Sequence, residues 1–259
     1  LAKEYHLKAE QLIAFDSQIM PIMAILRKNH FLEKQTLICY HKELPDFFEP
    51  DRIRKVYGYQ FDLQEVKETS DISSTDDSLV FVAQGTDFNE IENAEQIDFS
   101  VRIHPNLGSV VLCYDEDYVL EIQHVRRRET VAMTPSNSLA AIKLLIDPNE
   151  QPIAIDIEDS QEAVEKLIKK ISGTHARPLI GTSGLSIQYA IMMGLVDFAM
   201  KNHPGKEIKF IVPPNCYGGT NDQARRVAAA IDLVEILDLP VDGDNDMVQS
   251  VDQVLDEVA

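Results

Sequence analysis

The feature that most constrains this chain is the rhythm that sets in after residue 150, where apolar runs of strand length alternate with segments of helical period. Ile153–Ile157 reads as a short apolar strand. Asp159, with Glu162 three residues on, forms a capping-box pattern for a helix bearing Val164, Leu167, Ile168 and Ile171. Next come a strand over Pro178–Gly181, a long helix over about 184–201, the strand Glu207–Val212, a helix over about 221–232 and the strand Val234–Val241. A last helix carries Val248, Val251, Val254, Leu255 and Val258. Strands separated by helix-length connections pair in parallel, because a parallel neighbour is reached only by a crossover. The spacing therefore predicts a parallel α/β sheet for residues 151–259. The 184–201 helix is apolar nearly all round (Ile187, Ile191, Met192, Met193, Leu195, Val196, Phe198), which predicts deep burial.

Residues 1–150 have a different texture and read as an α+β N-terminal domain whose role the sequence leaves open. Residues 1–35 carry apolar positions at helical spacing, with Pro21 as a break or kink. Strand-type runs follow at Thr36–Tyr40, Ser78–Ala83, Gln96–Ile103 and Ser109–Tyr114, and the stretch 42–78 reads as surface loop with a little local structure. Asp115-Glu116-Asp117 is expected to turn the chain into Tyr118–Gln123 as a β-hairpin. Ser136 is expected to cap a short helix carrying Leu139, Ile142, Leu145 and Ile146.

Charge narrows the class of partner. The chain has 24 basic and 43 acidic residues, a formal net charge of −19, which repels phosphate backbones and argues against nucleic-acid binding. Arg126-Arg127-Arg128 is too short a cluster to reverse that. From Asn221 onward ten acidic residues face only Arg225 and Arg226, and this reads as a solvated surface. No run approaches the ~18 apolar residues of a membrane-spanning helix. Cys39, Cys113 and Cys216 are odd in number, far apart and free of CxxC spacing, so they read as reduced thiols of a cytoplasmic protein.

Several chemistries fail on spacing. The seven histidines show no HxxxH pattern, and Cys39 with His41 makes two ligands, not a zinc site, so no metal ligand is assigned. The stretch 242–253 fails as a calcium loop, with Met247 at the sixth position and Gln253 at the twelfth. Nucleophile-elbow, Walker and dinucleotide-binding patterns are missing, and no catalytic residue is assigned.

Two turns remain. Gly181-Thr182-Ser183-Gly184-Leu185-Ser186 opens the long helix. Small residues there admit an anion to backbone N–H groups at a helix N-terminus, and Ser183 and Ser186 each offer a hydroxyl to a phosphate. The same residues also serve as an ordinary N-cap and tight corner. The second turn, Pro213-Pro214-Asn215-Cys216-Tyr217-Gly218-Gly219-Thr220, follows a strand, with Thr220 and Gln223 as a capping box for the next helix. An aromatic ring at the carboxyl end of a parallel strand lies where open α/β sheets bind ligands, though Tyr217 can equally pack beneath its own loop. Both turns are expected at carboxyl ends of strands of one sheet.

These two turns resemble pyridoxal-phosphate enzymes of cysteine and methionine metabolism, the cystathionine γ-synthase, cystathionine β-lyase and methionine γ-lyase group. Ser183-Gly184-Leu185 is similar to the family's Ser-Gly-Met turn that holds the cofactor phosphate. Tyr217-Gly218-Gly219-Thr220 matches all four letters of the loop whose tyrosine stacks on the pyridine ring. The resemblance covers roughly residues 155–259. It implies cofactor contacts at Ser183, Gly184, Leu185 and Tyr217, and the N-terminal portion of a fold type I (aspartate-aminotransferase-like) large domain with a mainly parallel sheet. It also implies pyridoxal phosphate as cofactor, a small amino-acid substrate and a homo-oligomer.

The family's covalent lysine and the aspartate facing the pyridine nitrogen lie well beyond the tyrosine loop, and none of the residues after Thr220 is a lysine. Lys206 and Lys209 precede the loop and are not assigned that role. The expectation is therefore a fragment of a transsulfuration-type C–S lyase or γ-synthase, inactive as given. The alternative is a non-catalytic α/β module that binds a phosphate ligand or serves regulation.

Overall fold

The computed structural model describes residues 2–3, 5–72, 75–86, 96–147, 157–241 and 246–258, with the backbone alone for 157–159. The chain is α/β with a mixed, mostly parallel sheet, and it divides into two units. One comprises Leu1–Phe48 with Gln60–Ile187, the other Glu49–Tyr59 with Gln188–Ala259.

The first unit is built on six strands: β1 (Leu12–Phe15), β2 (Thr36–His41), β3 (Asp62–Glu65), β4 (Ser78–Gln84), β5 (Phe99–His104) and β6 (Gly108–Cys113), in the order β1-β6-β5-β4-β2-β3. The run β3-β2-β4-β5 is parallel, with Ile38 opposite Val80 and Val82 opposite Val101. β6 is antiparallel to both β5 and β1. Every residue of β5 and β6 is buried, as expected of central strands covered on both faces. This parallel core lies in the half read from sequence as α+β.

One crossover is helical after all. α2 (Pro50–Tyr57), which belongs to the second unit, falls in the stretch read as loop. Proline in its first turn and Gly58 at φ 71° delimit it, and only Ile53 and Val56 are buried. Two buried residues in eight give too little pattern to read. Pro21 likewise breaks nothing: it sits in the first turn of α1 (Met20–Phe31), where its missing N–H costs no hydrogen bond.

The expected hairpin over 115–123 is corrected. The real hairpin lies one strand earlier, between β5 and β6, and turns at Gly108. After β6, residues 116–118 form a 3₁₀ turn capped by the Asp115 carboxylate, which accepts from Asp117 N–H at 3.0 Å, and the chain enters α3 (Val119–Arg128). Val119, Ile122 and Val125 recur every three residues and are buried together, a helical spacing that the apolar letters alone concealed. α3 packs on α1, where the buried Arg27 guanidinium donates to Glu121 at 3.0 Å and pairs with Glu129.

The next helix, α4 (Pro135–Ile146), is capped by Thr134 rather than Ser136, its hydroxyl accepting from Asn137 N–H at 3.1 Å. Ala141 and Leu144 face the core, packed with Leu107, Val110 and Leu112. Leu139, Ile142 and Ile146 are exposed instead of buried.

Beyond residue 156, α5 (Ile157–Ser172) and α6 (Gly184–Asn202) follow. The expected strand over 153–157 lies outside the described residues except for Ile157, which already opens α5. Pro178–Gly181 forms no strand. The second unit contains a parallel pair, β7 (Ile208–Val212) with β8 (Val234–Asp238), joined through α7 (Gly218–Ala230) and followed by α8 (Met247–Val258). α6 is not sunk in a core as expected. Tyr189, Met192, Met193 and Val196 are buried, whereas Ile191, Leu195 and Phe198 are exposed, the last at 59%. Asp197 of α6 ties down α2, accepting from Arg52 at 2.9 Å and from Lys201 at 2.7 Å. Among the described residues no helix is long and apolar enough to cross a membrane.

Candidate functional site

The α6 entry turn, in the first unit, closes on itself through a reciprocal serine cap. Ser183 Oγ accepts from Ser186 N–H at 3.1 Å, and Ser186 Oγ accepts from Ser183 N–H at 2.8 Å. Ser186 Oγ also donates to Ser183 C=O at 2.9 Å and meets Thr182 Oγ1 at 3.1 Å. This settles which hydroxyl is free to act. The single proton of Ser186 is engaged by the backbone, so Ser186 does not offer a phosphate the donor expected of it. Ser183 uses a lone pair in the cap and keeps its O–H.

The glycines of this turn differ in what they do. A Cβ on Gly181 would lie 2.9 Å from Ile187 Cβ, so close packing excludes a side chain there. A Cβ on Gly184 would meet nothing within 4 Å, leaving open space beside the first N–H groups of α6. Leu185 is half-buried. The turn is preceded by irregular chain instead of a strand, so the expectation that both candidate turns leave strands of one sheet is not met.

The tyrosine turn, in the second unit, follows a parallel strand as expected. Its chain path runs from β7 through Pro213 and Pro214, where Cys216 N–H returns to Pro213 C=O at 3.1 Å. Tyr217 stands at the N-cap of α7 and is 69% exposed, so it does not pack beneath the loop. Its side chain makes no cap hydrogen bond, and its carbonyl accepts from Thr220 N–H at 2.8 Å and Asn221 N–H at 3.2 Å. A Cβ on Gly218 would meet nothing within 4 Å, whereas Gly219 is buried. A flat ring laid on Tyr217 would thus find its neighbour Gly218 without a side chain in the way.

Thr220 is not the capping residue. It lies in the first turn of α7, and its hydroxyl donates 2.8 Å to Gln188 Oε1, while Gln188 Nε2 donates 3.4 Å to Thr220 C=O. The expected Thr220–Gln223 box is replaced by this two-way lock onto α6, and Gln223 is buried. Gln188 gave no signal in the sequence, because its partner is 32 residues away.

The remaining candidates resolve simply. Lys209 projects from β7 between Glu207 and Glu235, with its ammonium 3.6 Å from each. Cys39 and Cys113 are fully buried, and desolvation pushes their thiols up to about 11 and about 12. His41 Nδ1 lies 3.3 Å from Val66 C=O, and among the described residues no three His, Cys, Asp or Glu side chains could hold a metal ion. Residues 242–245, the first four of the calcium-like stretch, lie outside the described residues.

Compared with known proteins, the chain matches no protein-family model and no curated sequence.

Proposed function

We propose that the chain binds pyridoxal phosphate as part of a transsulfuration-type enzyme, a C–S lyase or γ-synthase acting on small sulfur amino acids or homoserine esters. The observation that carries this reading is Tyr217, an exposed ring at the N-terminus of α7 immediately after a parallel strand, beside a glycine with open space above it. Tyr217 stacks on the pyridine ring. Ser183 donates its remaining O–H to a phosphate oxygen, and the first N–H groups of α6 beside Gly184 add partial positive charge. Leu185 supplies apolar contact in the same turn. Bound pyridoxal phosphate supplies an electron sink for reactions of amino-acid substrates. The chain's residues hold and orient it, and no lysine here is assigned its covalent attachment.

On this reading residues 151–259 belong to the N-terminal portion of a fold type I large domain, and the working protein is a homo-oligomer.

The test is equilibrium binding of pyridoxamine 5′-phosphate, which does not react with surface lysines, competed by inorganic phosphate. Tyr217→Phe keeps the ring and should bind within about threefold of the parent, whereas Tyr217→Ala should bind about tenfold more weakly. Ser183→Ala should weaken both pyridoxamine phosphate and inorganic phosphate. Equal affinity of the parent for the two ligands, or indifference to Tyr217→Ala, would overturn the proposal.

A further inference from the structure

A cleft of about 360 Å³ opens in the first unit where α1 ends and β6 passes into α3, lined by Lys28, Leu32, Lys34, Asp115, Asp117 and Tyr118. Its floor is rigid. The Tyr118 ring packs at a 60° tilt against buried Phe99, centroids 4.7 Å apart, its hydroxyl donates to Asn29 Oδ1, and Asn29 Nδ2 donates 2.7 Å to Thr36 Oγ1. One wall charge is already committed: Lys28 lies 4.5 Å over the Tyr118 ring and donates to the Asp117 carbonyl.

The other charges are not committed to one another. Among the described residues, the Lys34 ammonium and the Asp117 carboxylate have no side-chain hydrogen bond or ion pair. Asp115 uses one oxygen to cap the 3₁₀ turn. Leu32, 56% exposed, adds an apolar edge.

The charge pattern decides the ligand class. Two ammonium groups repel a metal cation, and two carboxylates repel a phosphate or simple anion. A ligand with one charge of each sign and a small apolar body satisfies all of them. The volume lies at the small end of ligand pockets, about 300–1,000 Å³, which suits a small ligand.

We propose that this cleft binds a free α-amino acid, its carboxylate on Lys34, its ammonium on Asp117 and the second oxygen of Asp115, and its side chain along Leu32 and the edge of Tyr118. The proposal does not depend on the cofactor reading, since none of these residues belongs to either candidate turn.

The test is calorimetric or NMR titration of the full chain with L-leucine. Leucinamide, which lacks the carboxylate, and 4-methylpentanoate, which lacks the ammonium, serve as controls. An open cleft of this size should give a dissociation constant of about 1 mM for leucine, with each control at least about tenfold weaker. Lys34→Ala and Asp117→Asn remove side chains that hold nothing else in place, so both should fold with parental circular dichroism and each should weaken leucine binding about tenfold. No saturation by leucine at about 50 mM, far above that constant, would overturn the proposal. So would equal binding of either single-charge analogue, or parental affinity in both variants.

Discussion

Thr220 and Gln188 hold each other by two hydrogen bonds, hydroxyl to side-chain oxygen at 2.8 Å and side-chain amide to backbone carbonyl at 3.4 Å. A threonine in the first helical turn usually serves its own backbone. Here it fixes where α7 begins relative to α6 within the second unit, and with it the position of Tyr217, three residues earlier.

Replacing Thr220 by Val keeps the shape and removes the donor. The expected loss of stability is about 1 kcal/mol, as for one half-buried hydrogen bond. Gln188→Leu should cost a similar amount. The double variant should cost less than the two losses together, because both remove the same contact. Urea denaturation of the three variants measures this; strict additivity would mean that the two side chains are not coupled.

Glycines of this chain should separate sharply by location. Gly108 turns the β5–β6 hairpin at φ 103°, and a Cβ there would lie 2.2 Å from Phe15 C=O, in a neighbouring strand. Gly108→Ala combines a strained backbone with a clash against main chain that cannot swing aside, and should cost about 3 kcal/mol or more. Gly184→Ala meets nothing within 4 Å and should change stability by no more than about 0.5 kcal/mol. Thermal denaturation of the two variants checks the contrast.

The cysteines predict both reactivity and alkaline stability. Cys39 and Cys113 are buried as neutral thiols, so a thiol reagent at pH 8 should modify Cys216 alone in the folded chain and all three after denaturation. Burial raises the Cys113 thiol from 9.0 to about 12, so the folded chain holds this proton more tightly than the unfolded chain does. That contribution to stability is fully present below pH 9 and is lost as the pH climbs from 9 toward 12. Cys113→Ala should flatten the alkaline fall of the melting temperature over that window.

What could be read in advance follows the range of the forces involved. β2 announced itself as a strand-type segment, β4 as a continuous apolar run, β5 and β6 by side-chain alternation, and β7, α7, β8 and α8 by the succession of strand and helix. Residues 118–123 did not. Tyr118, Val119 and Ile122 satisfy a strand or a helix over so short a window, and the contact of α3 with α1 decides for the helix. In the candidate turns, residue identity was legible and proton use was not. Ser183 and Ser186 look equivalent in sequence, yet the reciprocal cap engages the proton of one and leaves the other's.

The sequence by itself determined the α/β alternation, the positions of most strands, the acidic surface and the Tyr217-Gly218-Gly219-Thr220 turn, because each is written in neighbouring residues. Tertiary structure alone decided that residues 36–104 form the parallel core, that one side of α6 stays exposed, and that Gln188 meets Thr220. It also decided that Lys34 and Asp117 face one cleft across Tyr118. Such choices depend on pairing between residues distant along the chain, where burial and hydrogen bonding act on surfaces that exist only once the strands have found their neighbours.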